Sequence, residues 1–294
     1  LNTPSSCLSL TLYRMSEARL VIRCLSILLN TIIRFFNERF FDQAAQIAYY
    51  LLVSMLPFLI FVFSLVSLIT PDAQAILNMV EPFVPQDAFI LIEKNIRMIL
   101  RRTEGNVVYF SLIIAFWLSS IAIQSLGRAL DLANGHVRNR PFWRVVLRDL
   151  GITLLFMLVF PLTLFLPPID EALHRFMTTS EFIQVWEGWQ TLRTFIRWGI
   201  GSLFLFLFFL LFYRILPTEK MAFREVFPGA IFVTLIWQLF SLSFGKYVSN
   251  VDYTMLYGQL STIIVLVLWF YSTAVIILLA GLLNAEIKKK GRSL

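Results

Sequence analysis

Six stretches of this sequence are each long and apolar enough to cross a membrane, and this feature constrains the fold more than any other. A helix of about 20 apolar residues spans the hydrocarbon core, where each backbone amide and carbonyl must be paired within the helix. The stretches are residues 44–70, 107–126, 145–166, 198–216, 226–248 and 260–283. The sequence therefore predicts an all-α integral membrane protein with six transmembrane helices.

The composition excludes a soluble protein. Hydrophobic residues make up 58% of the chain and charged residues 15%, and the mean hydropathy is +0.76. Soluble domains are less apolar and carry about 25% charged residues. Membrane lipids are therefore the expected partner. The net charge of +7 is dispersed over the segments between the apolar stretches, so we expect no nucleic-acid partner, which would need a basic patch.

The distribution of Lys and Arg predicts that both termini are cytoplasmic. Most of the 25 basic residues lie at the N-terminus, between the second and third stretches, between the fourth and fifth, and at the C-terminus. Cytoplasmic segments of membrane proteins carry this excess of positive charge. The expected location is therefore the plasma membrane or the bacterial inner membrane.

The chain divides into three segments around the apolar stretches. Residues 1–43 form a cytoplasmic N-terminal segment, residues 44–286 the six-helix transmembrane domain, and residues 287–294 a basic cytoplasmic tail. Residues 20–41 are apolar with interspersed arginines, a pattern typical of an interfacial helix. Two long connections, residues 71–106 and 169–197, contain amphipathic patterns and predict extracytoplasmic helices.

The N-terminus carries no pattern of a cleaved secretory signal, so we expect no cleavage. Met15 is an alternative start, which would leave residues 1–14 outside the native protein. Cys7 and Cys24 form no CxxC pair, and their spacing predicts neither a disulfide nor a zinc site.

Polar residues within three of the stretches fall on single helix faces when each residue is stepped by about 100 degrees. The first face holds Asp42, Gln43, Gln46, Tyr50, Ser54 and Pro57; the second holds Trp117, Ser120, Gln124, Arg128 and Asp131; the third, on the fifth stretch, includes Gln238, Ser241 and Asp252. The fourth stretch is almost continuously Leu and Phe over residues 203–213, so we expect it to face lipid.

These polar faces have two interpretations. They line a hydrated or amphipathic cavity for a substrate, or they hold helices together through small and hydrogen-bonding side chains. Asp42, Arg128, Asp131 and Glu286 fall near the inner edge of their stretches. For these, ion pairing or snorkelling at the interface is the expected role.

No motif for enzymatic chemistry is present. His136 and His174 are the only histidines and fall on opposite sides of the predicted membrane, so they cannot share a metal. The sequence holds no GxxxxGK[ST], HExxH or GxSxG pattern. We therefore predict a protein that is not an enzyme and needs no cofactor.

An ordered series of motifs resembles the YihY/BrkB family of inner-membrane proteins, also called UPF0761 and formerly misnamed ribonuclease BN. The motifs are Ala44-Ala45-Gln46-Ile47-Ala48-Tyr49-Tyr50, Trp117 with Ser119 and Ser120, Arg140-Pro141-Phe142, Tyr213-Arg214-Ile215-Leu216-Pro217, Pro228-Gly229-Ala230, Tyr257-Gly258, Trp269 with Tyr271, and Asn284-Ala285-Glu286. Each motif alone is weak, but their order is specific from about Phe35 to Glu286. Tyr257 and Asn284 complete the set of candidate cavity residues.

The resemblance implies a six-span membrane protein without an established activity. Transport of an amphipathic or lipid-like molecule is the expected function, and a non-catalytic structural or interaction role in the envelope is the alternative. The family pattern commonly has a Glu where this chain has Leu282, so no role for a membrane glutamate at that position is carried over. Substrate, energy coupling and oligomeric state do not follow from the sequence.

Overall fold

The computed structural model of this chain describes residue 22 and residues 25–69, 105–136, 142–162, 189–219, 221–251 and 258–292. No strand occurs among these residues. They form seven α-helices and a short 3-10 turn at Gly258–Leu260. The helices are α1 Leu25–Asn37, α2 Phe40–Ile69, α3 Gly105–Ala133, α4 Phe142–Leu162, α5 Trp189–Ile215, α6 Phe223–Asn250 and α7 Ser261–Arg292.

Every predicted transmembrane stretch coincides with a helix. Within the part of the chain that the structure describes, four helices are long and apolar enough to cross a membrane: Leu112–Ala133, Trp198–Ile215, Phe223–Val248 and Ile263–Gly291. The other two stretches correspond to α2, of 30 residues, and α4, of 21 residues. The described part of the chain is therefore all-helical, as in a multi-pass membrane protein. Most of the predicted outer helices fall in residues 70–104 and 163–188, outside the described residues.

Two helices, α5 and α7, extend farthest beyond their predicted bounds. α5 begins at Trp189 and so includes the last part of the connection predicted outside the membrane. α7 continues to Arg292, and the basic segment that we predicted as a tail is helical up to that residue. Lys and Arg are good helix formers, and side-chain contacts of the last turns, described below, hold this end in place.

A tight turn at Glu38 and Arg39 separates α1 from α2. Arg39 has a φ of 57°, and its carbonyl accepts a hydrogen bond from the Asp42 amide at 3.2 Å. Left-handed backbone is uncommon for a residue with a side chain and here ends α1 abruptly. The turn lets α1 run in a different direction from α2.

The six long helices form a closed series of neighbouring contacts, which we call the ring. α2 packs on α3 and α7, α6 packs on α5 and α7, and α3 packs on α4 and α7. The ring of Phe156 on α4 closes the circle, because it lies 5.1 Å from the ring of Phe208 and 5.5 Å from that of Phe212 on α5. Hydrogen bonds between distant segments bring together the starts of α2, α4 and α6 and the ends of α3, α5 and α7 at one end of the ring.

The buried core lies mainly in the half of the ring next to that end. Large fully buried side chains there include Tyr213, Phe40, Leu130, Leu278 and Val226. The Tyr213 hydroxyl donates a hydrogen bond to the Ile277 carbonyl at 2.7 Å, which joins α5 to α7 through the middle of the core. A buried phenol normally finds such an acceptor.

The prediction that the fourth stretch faces lipid is wrong for its last two turns. On α5, Phe209, Phe212 and Tyr213 are at most 4% exposed and belong to the core, as does Leu216 just beyond the helix. Its lipid-exposed stripe is Leu203, Leu207 and Leu211, spaced four residues apart. A stretch that is apolar on all sides carries no periodic signal of which face is buried.

Candidate functional site

The helix ends that meet at one side of the ring carry a cluster of charged side chains, and we call this region the ion-paired end. Its bonds join segments that are distant in sequence. In the sequence-based topology this end faces the cytoplasm. Its principal side chains are Arg34, Asp131, Arg148, Asp149, Glu219, Glu286 and Lys288.

Arg34 on α1 ties three segments together. Its Nη1 donates to Glu286 Oε1 on α7 at 2.8 Å, its Nε donates to Glu38 Oε1 at 2.6 Å, and its Nη2 donates to the Ala133 carbonyl at the end of α3 at 3.0 Å. The hydrogen bond to Glu38 raises the pKa of Arg34. Burial of the guanidinium lowers this pKa by a smaller amount, and the hydrogen bond to Glu286 raises it further. The guanidinium therefore stays charged.

The Glu286 carboxylate needs the ion pair with Arg34, because it is buried away from water. The residue is 4% exposed, and an unpaired carboxylate at such a position is costly. Ion pairing was one of the two roles expected for Glu286 from its place near the inner edge of the membrane. The structure confirms it, with Arg34 as the partner.

Arg148, near the start of α4, makes a second buried ion pair. Its Nη2 donates to Asp149 Oδ1 at 2.8 Å, and Asp149 is fully buried. The same nitrogen donates to the Leu216 carbonyl at 3.1 Å. Carbonyls at the end of a helix have no donor within the helix, so Arg148 satisfies one just beyond α5.

Asp131, in the last turn of α3, holds the segment that follows α5. Its Oδ1 accepts the Thr218 amide at 2.7 Å, and its Oδ2 accepts the Thr218 hydroxyl at 2.7 Å. Asp131 is 2% exposed. Two charge-assisted hydrogen bonds at a buried carboxylate make a rigid link between the two helix ends.

We expect Asp131→Asn to destabilise the protein by about 1–2 kcal/mol, because the amide nitrogen cannot accept one of the two hydrogen bonds. Chemical denaturation in detergent micelles measures the loss. Asp42→Asn is the matched control, since Asp42 is exposed and exposed substitutions usually change stability by less than about 0.5 kcal/mol. Equal losses for the two variants would show that the Thr218 link contributes nothing.

Glu219 joins the connection between α5 and α6 to two other segments. It accepts a hydrogen bond from Lys288 Nζ on α7 at 3.0 Å and contacts His136, which follows α3. Lys288 is 8% exposed, although the sequence placed it in the basic cytoplasmic tail. The carboxylates of the ion-paired end are thus engaged by donors, which suits them to fix helix ends in place.

A close approach of α6 and α7 lies beside this cluster. The Gly229 amide donates to Asn284 Oδ1 at 2.7 Å, and Asn284 is 1% exposed. A Cβ atom at Gly229 would lie 2.4 Å from the side-chain amide of Asn284. A glycine at this position lets the two helices come close enough for the hydrogen bond.

The predicted polar face of the first stretch divides between the inside and the outside of the ring. Ser54 is buried and donates to the Leu51 carbonyl at 3.0 Å. Gln46 and Asp42 are exposed, Gln43, Tyr50 and Pro57 are partly buried, and Gln46 Nε2 donates to the Tyr50 hydroxyl at 3.2 Å.

The residues of the predicted polar faces of α3 and α6 also differ in exposure and in hydrogen-bond partners. On α3, Trp117 is 68% exposed and Ser120 is 2% exposed; Gln124 donates to Ser120 at 3.0 Å, and the exposed Arg128 donates to Ser125 at 3.2 Å. On α6, Gln238 Nε2 donates to Ser202 Oγ on α5 at 2.9 Å, and Ser241 is partly buried. Asp252 and Tyr257 lie outside the described residues. The assignment of these residues to a cavity stays a prediction.

Several residues of the ion-paired end were not singled out as site residues by the sequence. Arg34, Arg148 and Lys288 were counted only among the basic residues that predict the membrane topology. Asp149 and Glu219 were given no role. The available signal was an arginine or an acid inside an otherwise apolar helix, since such a charge requires a partner. No spacing rule identifies the partner, because Arg34 and Glu286 lie at opposite ends of the chain. Among the described residues, no group of three or more His, Cys, Asp or Glu side chains is placed to hold a metal.

Comparison with known proteins gives a consistent family. The virulence factor BrkB family model matches residues 31–293. The chain is 32% identical over 255 residues to the ribonuclease-like protein YfkH of Bacillus subtilis (strain 168), covering 85% of this chain and 90% of the relative. It is 26% identical over 260 residues to a UPF0761 membrane protein of Coxiella burnetii (strain Dugway 5J108-111), covering 85% and 89%. No solved structure matches the chain.

Proposed function

We propose that this chain, which belongs to the virulence factor BrkB family of membrane proteins, is a transporter or flippase-like protein for an amphipathic or lipid-like substrate. We also propose that the chain crosses the inner or plasma membrane six times and that both termini lie in the cytoplasm. The protein would have no enzymatic activity. The substrate would follow polar faces of α2, α3 and α6.

One observation carries the proposal: three neighbouring helices of the ring contain no buried residue over the half farther from the ion-paired end. Among the described side chains, this holds for residues 198–208 of α5, 235–251 of α6 and 258–273 before and within α7. The same helices are closely packed over their other halves. A ring that is packed at one end and loose at the other supports an opening on one side of the membrane.

Polar atoms on these loosely packed halves support a substrate with a polar part. Gln238 and Ser202 form a hydrogen-bonded pair between α6 and α5. The hydroxyl oxygens of Ser241 and Thr273 are shielded and have no hydrogen-bond partner among the described residues. Because buried hydroxyls normally have partners, such groups point to bound water or ligand.

A structural or interaction protein of the envelope is the second candidate. Two hydrogen-bonded pairs support this candidate, because both partners of each pair lie on the same helix. The pairs are Gln46 with Tyr50 and Gln124 with Ser120. Side chains that satisfy each other are also what helix packing requires. Cross-linking in intact membranes that recovers a stoichiometric complex would favour this candidate.

Reconstituted vesicles test the transport function. We expect the purified protein to accelerate the movement of a fluorescent phospholipid or an amphipathic organic anion across the membrane. Gln238→Leu and Gln124→Leu should each lower the protein-dependent rate at least about threefold, since losing one good hydrogen bond costs about 1 kcal/mol.

Leu239→Met is the matched control, because Leu239 is exposed on the same helix and the exchange conserves volume. Its rate should equal that of the unsubstituted protein. Absence of protein-dependent movement for both probe classes, or unchanged rates in both glutamine variants, would contradict the proposal.

A further inference from the structure

α1 has one face attached to the bundle and one face uncovered. On the attached face, Phe35 is 5% exposed and Thr31 is 4% exposed, and Arg34 makes the bonds to Glu286 and Ala133 described above. The uncovered face is a continuous apolar stripe whose residues are 43% to 61% exposed. The stripe is Leu25, Leu28, Leu29, Ile32, Ile33 and Phe36.

The attachment points set the depth of this helix relative to the membrane. Arg34 bonds to Ala133, the last residue of the candidate span Leu112–Ala133. It also bonds to Glu286, near the end of the candidate span Ile263–Gly291. α1 therefore lies where these spans leave the hydrocarbon core, and its stripe is at the level of the lipid headgroups and upper acyl chains.

Basic side chains lie near both ends of the stripe. Arg39, in the turn after α1, and Lys289, in the last turns of α7, are exposed. Lys290 donates to Ser26, which lies near the start of α1. Two nearby carboxylates, Glu38 and Glu286, are bonded to Arg34. Asp42, in the first turn of α2, is exposed, so Arg39, Lys289 and Lys290 still outnumber the acidic groups. The surface around the stripe is thus positive, and a positive rim around an apolar helix face complements an anionic lipid leaflet.

We propose that α1 and the C-terminal end of α7 together form a binding surface for anionic phospholipids. The apolar stripe enters the leaflet, and Arg39, Lys289 and Lys290 contact the phosphate groups. Two segments from opposite ends of the sequence build this surface, and the Arg34–Glu286 ion pair holds them together. The binding surface is independent of the transport function, since it requires only that the protein lies in a membrane.

Lipid-dependent quenching in vesicles tests this surface on the full chain. Cys7 and Cys24 are replaced by Ser, Leu29 is replaced by Cys, and a bimane label is attached at position 29. The vesicles are phosphatidylcholine with a minor, equal fraction of either brominated phosphatidylglycerol or brominated phosphatidylcholine. We expect both lipids to quench the label and brominated phosphatidylglycerol to quench it at least about twofold more, because each basic residue near an anionic leaflet strengthens association about fivefold.

The charge variant Arg39→Gln with Lys289→Gln should bring the two quenching values together. The control is Arg224→Gln with Arg144→Gln, which removes the same charge from exposed positions on other helices and should preserve the difference. High salt should weaken the preference of the unsubstituted surface, which tests it even if the charge variant folds poorly.

A label that neither brominated lipid quenches would overturn the inference, because the stripe would then be covered by protein or exposed to water. Equal quenching by the two lipids at low salt would also overturn it, since the leaflet contact would lack anionic selectivity. A transport assay that fails while the quenching difference persists would contradict only the transport function.

Discussion

Arg34→Met is expected to destabilise the protein by about 3–5 kcal/mol, because removing one partner of a buried ion pair leaves the other charge uncompensated. The charge left behind is the carboxylate of Glu286, which is 4% exposed. The substitution also removes donors from Glu38 and from the Ala133 carbonyl. Unfolding in detergent micelles, followed by circular dichroism against denaturant, measures the loss.

A second substitution separates this effect from simple loss of packing. Arg34→Met combined with Glu286→Leu should recover most of the lost stability, since replacing a buried pair by apolar residues of similar volume is often neutral. Arg128→Met is the matched control, because Arg128 is exposed and bonds only weakly to Ser125 among the described contacts. A double variant as unstable as Arg34→Met alone would show that the Glu286 charge is not the cause.

Gly229→Ala is expected to destabilise the protein by about 2–4 kcal/mol. The added Cβ would lie 2.4 Å from the Asn284 side chain, so either the helices separate or Asn284 loses its hydrogen bond to the Gly229 amide. Overpacking costs about 1–3 kcal/mol and a buried unpaired amide a similar amount. These costs exceed the gain of about 1 kcal/mol that alanine brings inside a helix.

Gly245→Ala provides the control on the same helix. A Cβ at Gly245 would meet nothing within 4 Å, so only the helix propensity changes and the variant should be equal to or slightly more stable than the parent. Asn284→Ala in the Gly229→Ala background should restore part of the stability by removing the clash. A Gly229→Ala protein as stable as Gly245→Ala would disprove the close approach of α6 and α7.

The helices were predictable from the sequence because each one is long and apolar. Each of the six predicted stretches coincides with a helix in its described residues, and prediction and structure differ in where the helices begin and end. Helix ends are set by capping contacts, such as Glu225 accepting the Ala222 amide at 2.8 Å at the start of α6, and such contacts give only a weak sequence signal.

The surroundings of polar residues were less predictable. The stepping of about 100 degrees per residue places Gln46 and Ser54 within one broad arc, yet Ser54 is buried and Gln46 is exposed. An arc of that width covers both the side that meets α3 and α7 and the side that faces outward. Which part becomes buried depends on where the neighbouring helices pack.

Six long apolar stretches determined by themselves that this chain is a helical membrane protein, because an apolar environment leaves the backbone no alternative to internal hydrogen bonds. The motif series likewise identified its family. Only the tertiary structure decided the long-range partners of its charges: Arg34 with Glu286, Arg148 with the Leu216 carbonyl, and Lys288 with Glu219. These pairs follow from which helix ends meet, and the order of residues along the chain does not encode that meeting in any local pattern.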